Sequence, residues 1–254
     1  LPLVVLAQSG GGNLKLIGDV FGESGNGFAI QCRLSAAGIP QITVVHGSAT
    51  AGGAYQPTLS DYLILVRKQS TMYLAGPPLL KAATGEIATD EELGGAEMHS
   101  EIAGTNDYLA EDDADGIRIA REVTQKLGWN KNLALRAEAV YQDPLYPRDE
   151  LRGIVPEDPK TPCDMREIIA RIADGSDFLE FKGDYDTGTL CGHIDIEGKP
   201  CGVIANNSPI TAKGAVKGGQ FIQLCEQSGT PLLFLSNTTG FLVGTEPEQA
   251  GIIK

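Results

Sequence analysis

Runs of apolar and β-branched residues that break at glycine and small polar residues recur along this chain, interleaved with stretches of helical period. Leu1-Pro2-Leu3-Val4-Val5-Leu6 reads as a strand already under way, closing in Ala7-Gln8-Ser9-Gly10-Gly11. Phe28 to Ala37 is helix-like and stops at Gly38-Ile39-Pro40. Gln41-Ile42-Thr43-Val44-Val45-His46 then predicts a buried strand, which breaks into Gly47-Ser48-Ala49-Thr50-Ala51-Gly52-Gly53-Ala54-Tyr55, a glycine turn feeding a helix start. Leu63-Ile64-Leu65-Val66 predicts a second short buried strand, ending at Arg67-Lys68. Glu111 to Leu127 predicts a helix: acidic residues crowd its first turn, Ile117, Ala120, Val123 and Leu127 share a face, and Gly128 follows as a C-cap.

The second half continues the alternation after a proline-rich span. Asp143-Pro144, Tyr146-Pro147, Val155-Pro156, Asp158-Pro159 and Thr161-Pro162 disfavour continuous helix, so residues 131–163 read as a linker between a domain at 1–130 and one at 164–254. Asp164 to Ala173 predicts a short helix stopped near Gly175. Thr189 to Asn206 predicts a hairpin turning at Glu197-Gly198-Lys199-Pro200, and Ala215 to Gln227 a helix. The segment from Pro2 to Gly11 overlays Pro231 to Gly240 without a gap, with four identities in ten, which points to a duplication. Alternation of this kind predicts α/β layers. Both ends read as interrupted, the last residues Ile252-Ile253-Lys254 within an opening helix.

Composition narrows the chemistry. Among 254 residues, 33 acidic against 20 basic side chains give a net charge of −13, which argues against nucleic acid or an anionic membrane as partner. No apolar run approaches the ~20 residues that span a bilayer. Cys32, Cys163, Cys191, Cys201 and Cys225 are odd in number and without a C-x-x-C pair, which predicts reduced thiols, no metal site and an intracellular setting. His46, His99 and His193 stand in no catalytic motif and read as hydrogen-bonded structural imidazoles; Gly10-Gly11-Gly12 is no Walker loop. Glu111-Asp112-Asp113 reads as a solvated helix start. Arg67-Lys68 suits either a phosphate contact or a solvent-facing strand end.

What remains is glycine. At Ala51-Gly52-Gly53-Ala54 the missing Cβ atoms let a ligand reach bare backbone N–H groups, an arrangement that suits an oxyanion hole for a thioester enolate. Close packing of strand against helix would use the same glycines. With donors but no obvious acid or base, either the chain is not an enzyme or its base is carried by a cofactor.

Several longer runs carry a family resemblance: Gly52-Gly53-Ala54-Tyr55, Val66-Arg67-Lys68-Gln69, Leu74-Ala75-Gly76-Pro77-Pro78-Leu79, Lys81-Ala82-Ala83-Thr84-Gly85-Glu86, Leu93-Gly94-Gly95-Ala96 with His99, Phe178-Leu179-Glu180-Phe181 and Asn237-Thr238-Thr239-Gly240-Phe241. In order and spacing, over essentially the whole chain, these resemble the carboxyltransferase (β) subunit of biotin-dependent acyl-CoA carboxylases. The Ala-Gly-Pro-Pro-Leu and Asn-Thr-Thr-Gly-Phe runs resemble most the methylcrotonyl-CoA and geranyl-CoA branch. The resemblance implies tandem crotonase-like domains, each a β-β-α superhelix and both incomplete in this chain. In the family's mechanism carboxybiotin releases CO2, its ureido nitrogen takes a proton from the acyl-CoA, and the enolate attacks CO2.

Carried onto this sequence, the resemblance implies enolate donors at Gly52, Gly53 and Ala54 with Gly11 and Gly12, and acyl-CoA contacts at Thr50, Ala51, Tyr55, Arg67, Lys68, Gly94 and Gly95. It places biotin at Gly240 and Phe241, with the second oxyanion hole beyond Lys254. Gln8 and Gly12 depart from the family's Asp and Ala, which alters the outline of the first turn. A 3-methyl-branched enoyl-CoA such as 3-methylcrotonyl-CoA or geranyl-CoA is the implied substrate, with a saturated propionyl- or acetyl-CoA as the neighbouring reading. Biotin would be carried by a partner, since Met-Lys-Met is absent, and no metal is implied in this subunit. Implied partners are a biotin carboxylase and biotin carboxyl carrier, with further copies of the chain in a hexamer, in the bacterial cytoplasm or mitochondrial matrix. Two other classes compete: a crotonase-type hydratase or isomerase using Glu97 or Glu101 as base, and a non-catalytic assembly subunit.

Overall fold

The structure, a computed structural model, describes residues 1–12, 17–129, 141–158, 161–238 and 240–252; the expectations that touch 130–140, Pro159, Thr239, Ile253 and Lys254 lie outside the described residues. Two compact units result, Leu1–Gln125 and Lys126–Lys254.

In the first unit the elements run β1 (Leu3–Ser9), α1 (Ile17–Ala36), β2 (Gln41–Thr50), α2 (Gly52–Thr58), β3 (Tyr62–Val66), β4 (Thr71–Tyr73), α3 (Pro77–Thr84), α4 (Asp90–Gly94), β5 (Tyr108–Ala110) and α5 (Asp113–Lys126). The sheet order is β1-β2-β3-β5, with every pair parallel and β4 also on β2. Parallel strands need crossovers and are buried on both faces, which is why their apolar runs are continuous. Val45, Ala49, Ala54, Leu63, Leu65, Met72 and Ala96 pack together as the core. Helix α1 starts well before Phe28 because tertiary structure overrides the low helix propensity of Gly18, Gly22, Gly25 and Gly27. On α5 the buried face is Gly116, Ile119, Ala120, Val123 and Leu127, and Ile117, expected there, is 46% exposed. Gly116 brings the helix close to the Val44 side chain, which turns the face one residue away from Ile117.

Strand β2 changes partner along its length. Ile42–Val45 pair with Tyr62–Leu65 of β3, and Ser48–Thr50 pair with Thr71–Tyr73 of β4. Ser70 bridges the break, its hydroxyl accepting from Val66 N–H at 2.7 Å and donating to the Val45 carbonyl at 2.5 Å. On the other side, β1 irregularly skips register between Ala7 and Ser9 so that Ser9 pairs with Ala49.

The second unit carries α6 (Leu151–Ile154), α7 (Met165–Ile169), β6 (Leu179–Phe181), β7 (Thr189–Ile196), β8 (Lys199–Asn206), α8 (Ala212–Ser228), β9 (Leu232–Leu235) and α9 (Thr245–Gln249). Its sheet runs β6-β7-β8-β9, antiparallel except for the parallel β8–β9 pair. The hairpin turns on two residues, Glu197 (φ 48°) and Gly198 (φ 73°), the positive-φ pair that matches strand twist. Within the span read as a linker, α6 follows a short 3-10 turn. This span is tied to the second unit by Arg171–Glu150 at 2.7 Å and by Gly175 N–H on the Gln142 carbonyl at 3.0 Å. Helix α8 starts at a Thr211 cap, whose hydroxyl accepts from Gly214 N–H, and stops at Gly229 (φ 67°). Strands β1 and β9, the two runs that overlay in sequence, are each parallel edge strands. Among the described residues no helix is long and apolar enough to cross a membrane. All five cysteines are free thiols.

Candidate functional site

Where β2 ends, three backbone segments converge. Ala51 stands at φ 53°, ψ −120°, a conformation that costs a non-glycine residue of order 1–3 kcal/mol and must be imposed by its surroundings. Its N–H donates to the Tyr73 carbonyl at 3.0 Å, and its own carbonyl accepts from Ala54 N–H at 3.0 Å. The chain therefore turns sharply into α2. The N–H groups of Gly52 and Gly53 open that helix, at positions where no intrahelical acceptor exists. Ala54, expected as a third donor, spends its N–H on Ala51.

The two glycines differ. A Cβ built on Gly52 meets nothing within 4 Å, whereas one on Gly53 would stand 2.6 Å from Ser9 Oγ and 2.7 Å from Ser9 Cβ. Gly52 faces open space, and Gly53 seats the end of β1. The Ser9 hydroxyl also accepts from Gly11 N–H at 3.3 Å, and Gly11 (φ 91°) lies against Thr50. Gly12 is exposed, with nothing near its α-carbon. The structure thus gathers Ser9, Gly11, Thr50, Ala51, Gly52 and Gly53, and engages two of the expected donors, Gly11 and Ala54, in internal bonds.

Other predicted residues are placed less centrally. Tyr55 is 48% exposed, its ring edge-on to Phe28 with centroids 5.8 Å apart. Arg67 is held by two carboxylates, Glu111 at 3.1 Å and Glu97 at 3.5 Å, while Lys68 is exposed at φ 55° with its N–H 3.5 Å from Glu97. Gly94 backs onto the Met72 carbonyl and the Tyr73 ring, and Gly95 onto Glu91. These two let α4 press on β4, and the Thr89–Glu92 capping box starts that helix. Glu97, a candidate base, is engaged by Arg67, and Glu101 is solvent-exposed. His99 is structural: Nε2 bonds to the Met72 carbonyl at 2.7 Å, Nδ1 to the Thr105 hydroxyl, and burial holds its pKa below the usual histidine range.

In the second unit Gly240 (φ 124°) precedes Phe241, whose side chain is 60% exposed. Ile210 holds the segment from one side, its N–H donating to the Gly240 carbonyl at 2.9 Å and its carbonyl accepting from Leu242 N–H at 2.8 Å. Sequence reasoning missed Tyr73 and Ile210, and placed Ser9 in the turn with Gly10, Gly11 and Gly12 without marking its side chain. Tyr73 and Ile210 act through main-chain groups, which no residue type betrays, and Ser9 acts by shape.

The family profile described as carboxyl transferase domain matches residues 1–254. The methylcrotonoyl-CoA carboxylase beta chain, mitochondrial, of Dictyostelium discoideum is 48% identical over all of this chain and 44% of its own length. The biotin-dependent 3-methylcrotonyl-coenzyme A carboxylase beta1 subunit of Mycobacterium tuberculosis is 43% identical over all of this chain and 48% of its own. A solved transcarboxylase 12S structure, described as a hexamer assembly with hydrolysed methylmalonyl-coenzyme A bound, matches with a TM-score of 0.90 at 33% identity. That match covers 99% of this chain and 50% of the transcarboxylase chain. The chain spans about half the length of the curated relatives it matches.

Proposed function

Since this chain belongs to the carboxyl transferase domain family, we propose that it transfers CO2 from carboxybiotin to the enolate of an acyl-CoA. The observation that carries this reading is the pair of N–H groups on Gly52 and Gly53 beside open space at Gly52, at the end of a strand braced on both sides. Those donors stabilise charge on a thioester oxygen, and each such donor is typically worth ~100- to 1000-fold in rate. The proton on the γ-carbon of an enoyl-CoA, or on the α-carbon of a saturated acyl-CoA, then becomes acidic enough to leave. Carboxybiotin, when bound, supplies the CO2 and the base. Glu97 is tied to Arg67 and so does not serve as a hydratase base.

The acyl-CoA lies along Thr50, Ala51 and Tyr55, with Gly94 shaping the wall through Tyr73 and Gly95 through Glu91. Arg67, bound by two carboxylates, aligns the loop, and Lys68 meets the anionic CoA. The biotin ring meets Gly240 and Phe241, where one backbone edge faces away from Ile210 and suits an amide-like partner. A 3-methyl-branched enoyl-CoA is the favoured substrate, because identity is 48% to a methylcrotonoyl-CoA carboxylase chain against 33% to a transcarboxylase described with methylmalonyl-CoA. The chain works in a hexamer with a biotin-carrying partner, in the cytoplasm or mitochondrial matrix. The test is the carboxylation rate of the complete complex on 3-methylcrotonyl-, geranyl-, propionyl- and acetyl-CoA. Preference for a saturated substrate overturns the branch, and acyl-proton exchange that needs no biotin overturns the reaction.

A further inference from the structure

We propose that Asp186 and Thr211 are positioning residues that set the Gly240–Leu242 segment for its ligand. The inference rests on reading that segment as the biotin contact. Ile210 fixes it with two main-chain bonds, to the Gly240 carbonyl and from the Leu242 N–H. In a parallel bridge the residue between those two turns its own N–H and carbonyl the other way, so Phe241 offers both to a ligand. The position of that edge is therefore the position of Ile210.

Ile210 is followed at once by Thr211, whose side chain joins two structures. It caps α8, accepting from Gly214 N–H at 2.9 Å, and it donates to Asp186 Oδ1 at 2.8 Å. The other oxygen of Asp186 accepts from Thr189 N–H at 3.1 Å, at the start of β7. Asp186 sits at φ 51°, in the left-handed region that aspartate enters more readily than most residues. Lys217, fully buried on α8, ties this turn to the helix by donating to the carbonyls of Tyr185 and Asp186 at 3.0 and 3.3 Å. A Cβ on Gly214 would collide with Asp186 and Thr189, and one on Gly188 with Ser208, so the knot closes only around glycine. The carboxylate pins strand β7, the start of α8 and, through Thr211 and Ile210, the segment that carries Phe241.

The test uses the full-length protein assembled with its partner subunits, comparing Thr211→Val with Thr211→Ser. Thr211→Val should speed amide exchange at Leu242 and raise the KM for the biotinylated carrier about five- to tenfold, the size of a lost cap. The KM for acyl-CoA should not move, and Thr211→Ser should restore both. A purely structural role would lower the active fraction and leave the two KM values equal to wild type. Should Thr211→Val not fold, Asp186→Asn should give a smaller change of the same kind. Unchanged exchange at Leu242, or faster exchange with an unchanged carrier KM, overturns the proposal. Phe241→Pro separates its failure from that of the parent reading. A defective Phe241→Pro beside a normal Thr211→Val sinks the positioning alone, and a normal Phe241→Pro sinks the biotin contact itself.

Discussion

Adding one methyl group at Gly53 tests whether the junction of β1 and α2 is built as described. The new carbon would stand 2.6 Å from Ser9 Oγ and 2.7 Å from Ser9 Cβ, against an ordinary separation of ~3.5–4.0 Å. Ser9 has little room to yield, since its backbone is paired with Ala49 and its hydroxyl holds Gly11 N–H. Either β1 or α2 must therefore shift by about an ångström, and overpacking of this kind costs about 1–3 kcal/mol. A displacement of that size in a catalytic donor costs about 100-fold in rate. Ser9→Gly removes both clashing atoms and leaves only the Ser9 carbonyl, at 3.7 Å. The Gly53→Ala, Ser9→Gly double variant should thus be more stable than the two single losses added together, with a coupling of about 1–2 kcal/mol. Urea unfolding of the wild type, both single variants and the double variant, with transfer rates on the same preparations, provides the cycle. A Gly53→Ala protein as stable as wild type, or strictly additive losses, would refute the packing argument.

Gly52→Ala should behave in the opposite way: its methyl enters open space, so stability should hold within about 0.5 kcal/mol while transfer falls at least ~10-fold; a fully active variant would remove Gly52 from the site. Thr89→Ala removes the hydroxyl that accepts from Glu92 N–H and donates to the Glu92 carboxylate, while the backbone N–H of residue 89 keeps its bond to that carboxylate. It should cost about 1 kcal/mol in chemical denaturation; no loss would mean that α4 is held by its packing on β4 and the remaining backbone bond. Burial, aided by the charge of Lys126, pushes the His193 pKa down to about 4 from 6.5. Below pH 6.5 the unfolded chain takes up a proton that the folded chain refuses, so stability is complete above that pH and falls towards pH 4, by about 3 kcal/mol. His193→Gln should flatten this slope in urea midpoints measured against pH, and an unchanged slope would assign the dependence elsewhere.

Much of the fold was legible because buried parallel strands write themselves as continuous apolar runs. Gln41–His46 and Leu63–Val66 lie within β2 and β3, and the Thr189–Asn206 hairpin is β7 and β8. Helix α1 was half hidden, since glycines mask a helix that tertiary packing sustains. Ile117 was misassigned because Gly116, which has no apolar side chain to signal burial, makes the closest approach to the sheet. For the site, the sequence marks where backbone is bare but not which N–H groups are already engaged. Ala54 and Gly11 read like Gly52, and only the Ala51 carbonyl and the Ser9 hydroxyl distinguish them. Arg67 likewise reads as a free cation until Glu97 and Glu111 are brought beside it from 30 and 44 residues away.

The change of partner along β2 separates what the strand must conserve from what it can vary. Its first half is locked between β1 and β3, and substitution there perturbs the whole sheet. Its last three residues lean on β4 alone on that side, and β4 is backed by Gly94. Substitutions within Thr71–Gly95 can therefore move the backbone that supports the end of β2 beside Gly52 while the pairing of β1, β2 and β3 stays unaltered.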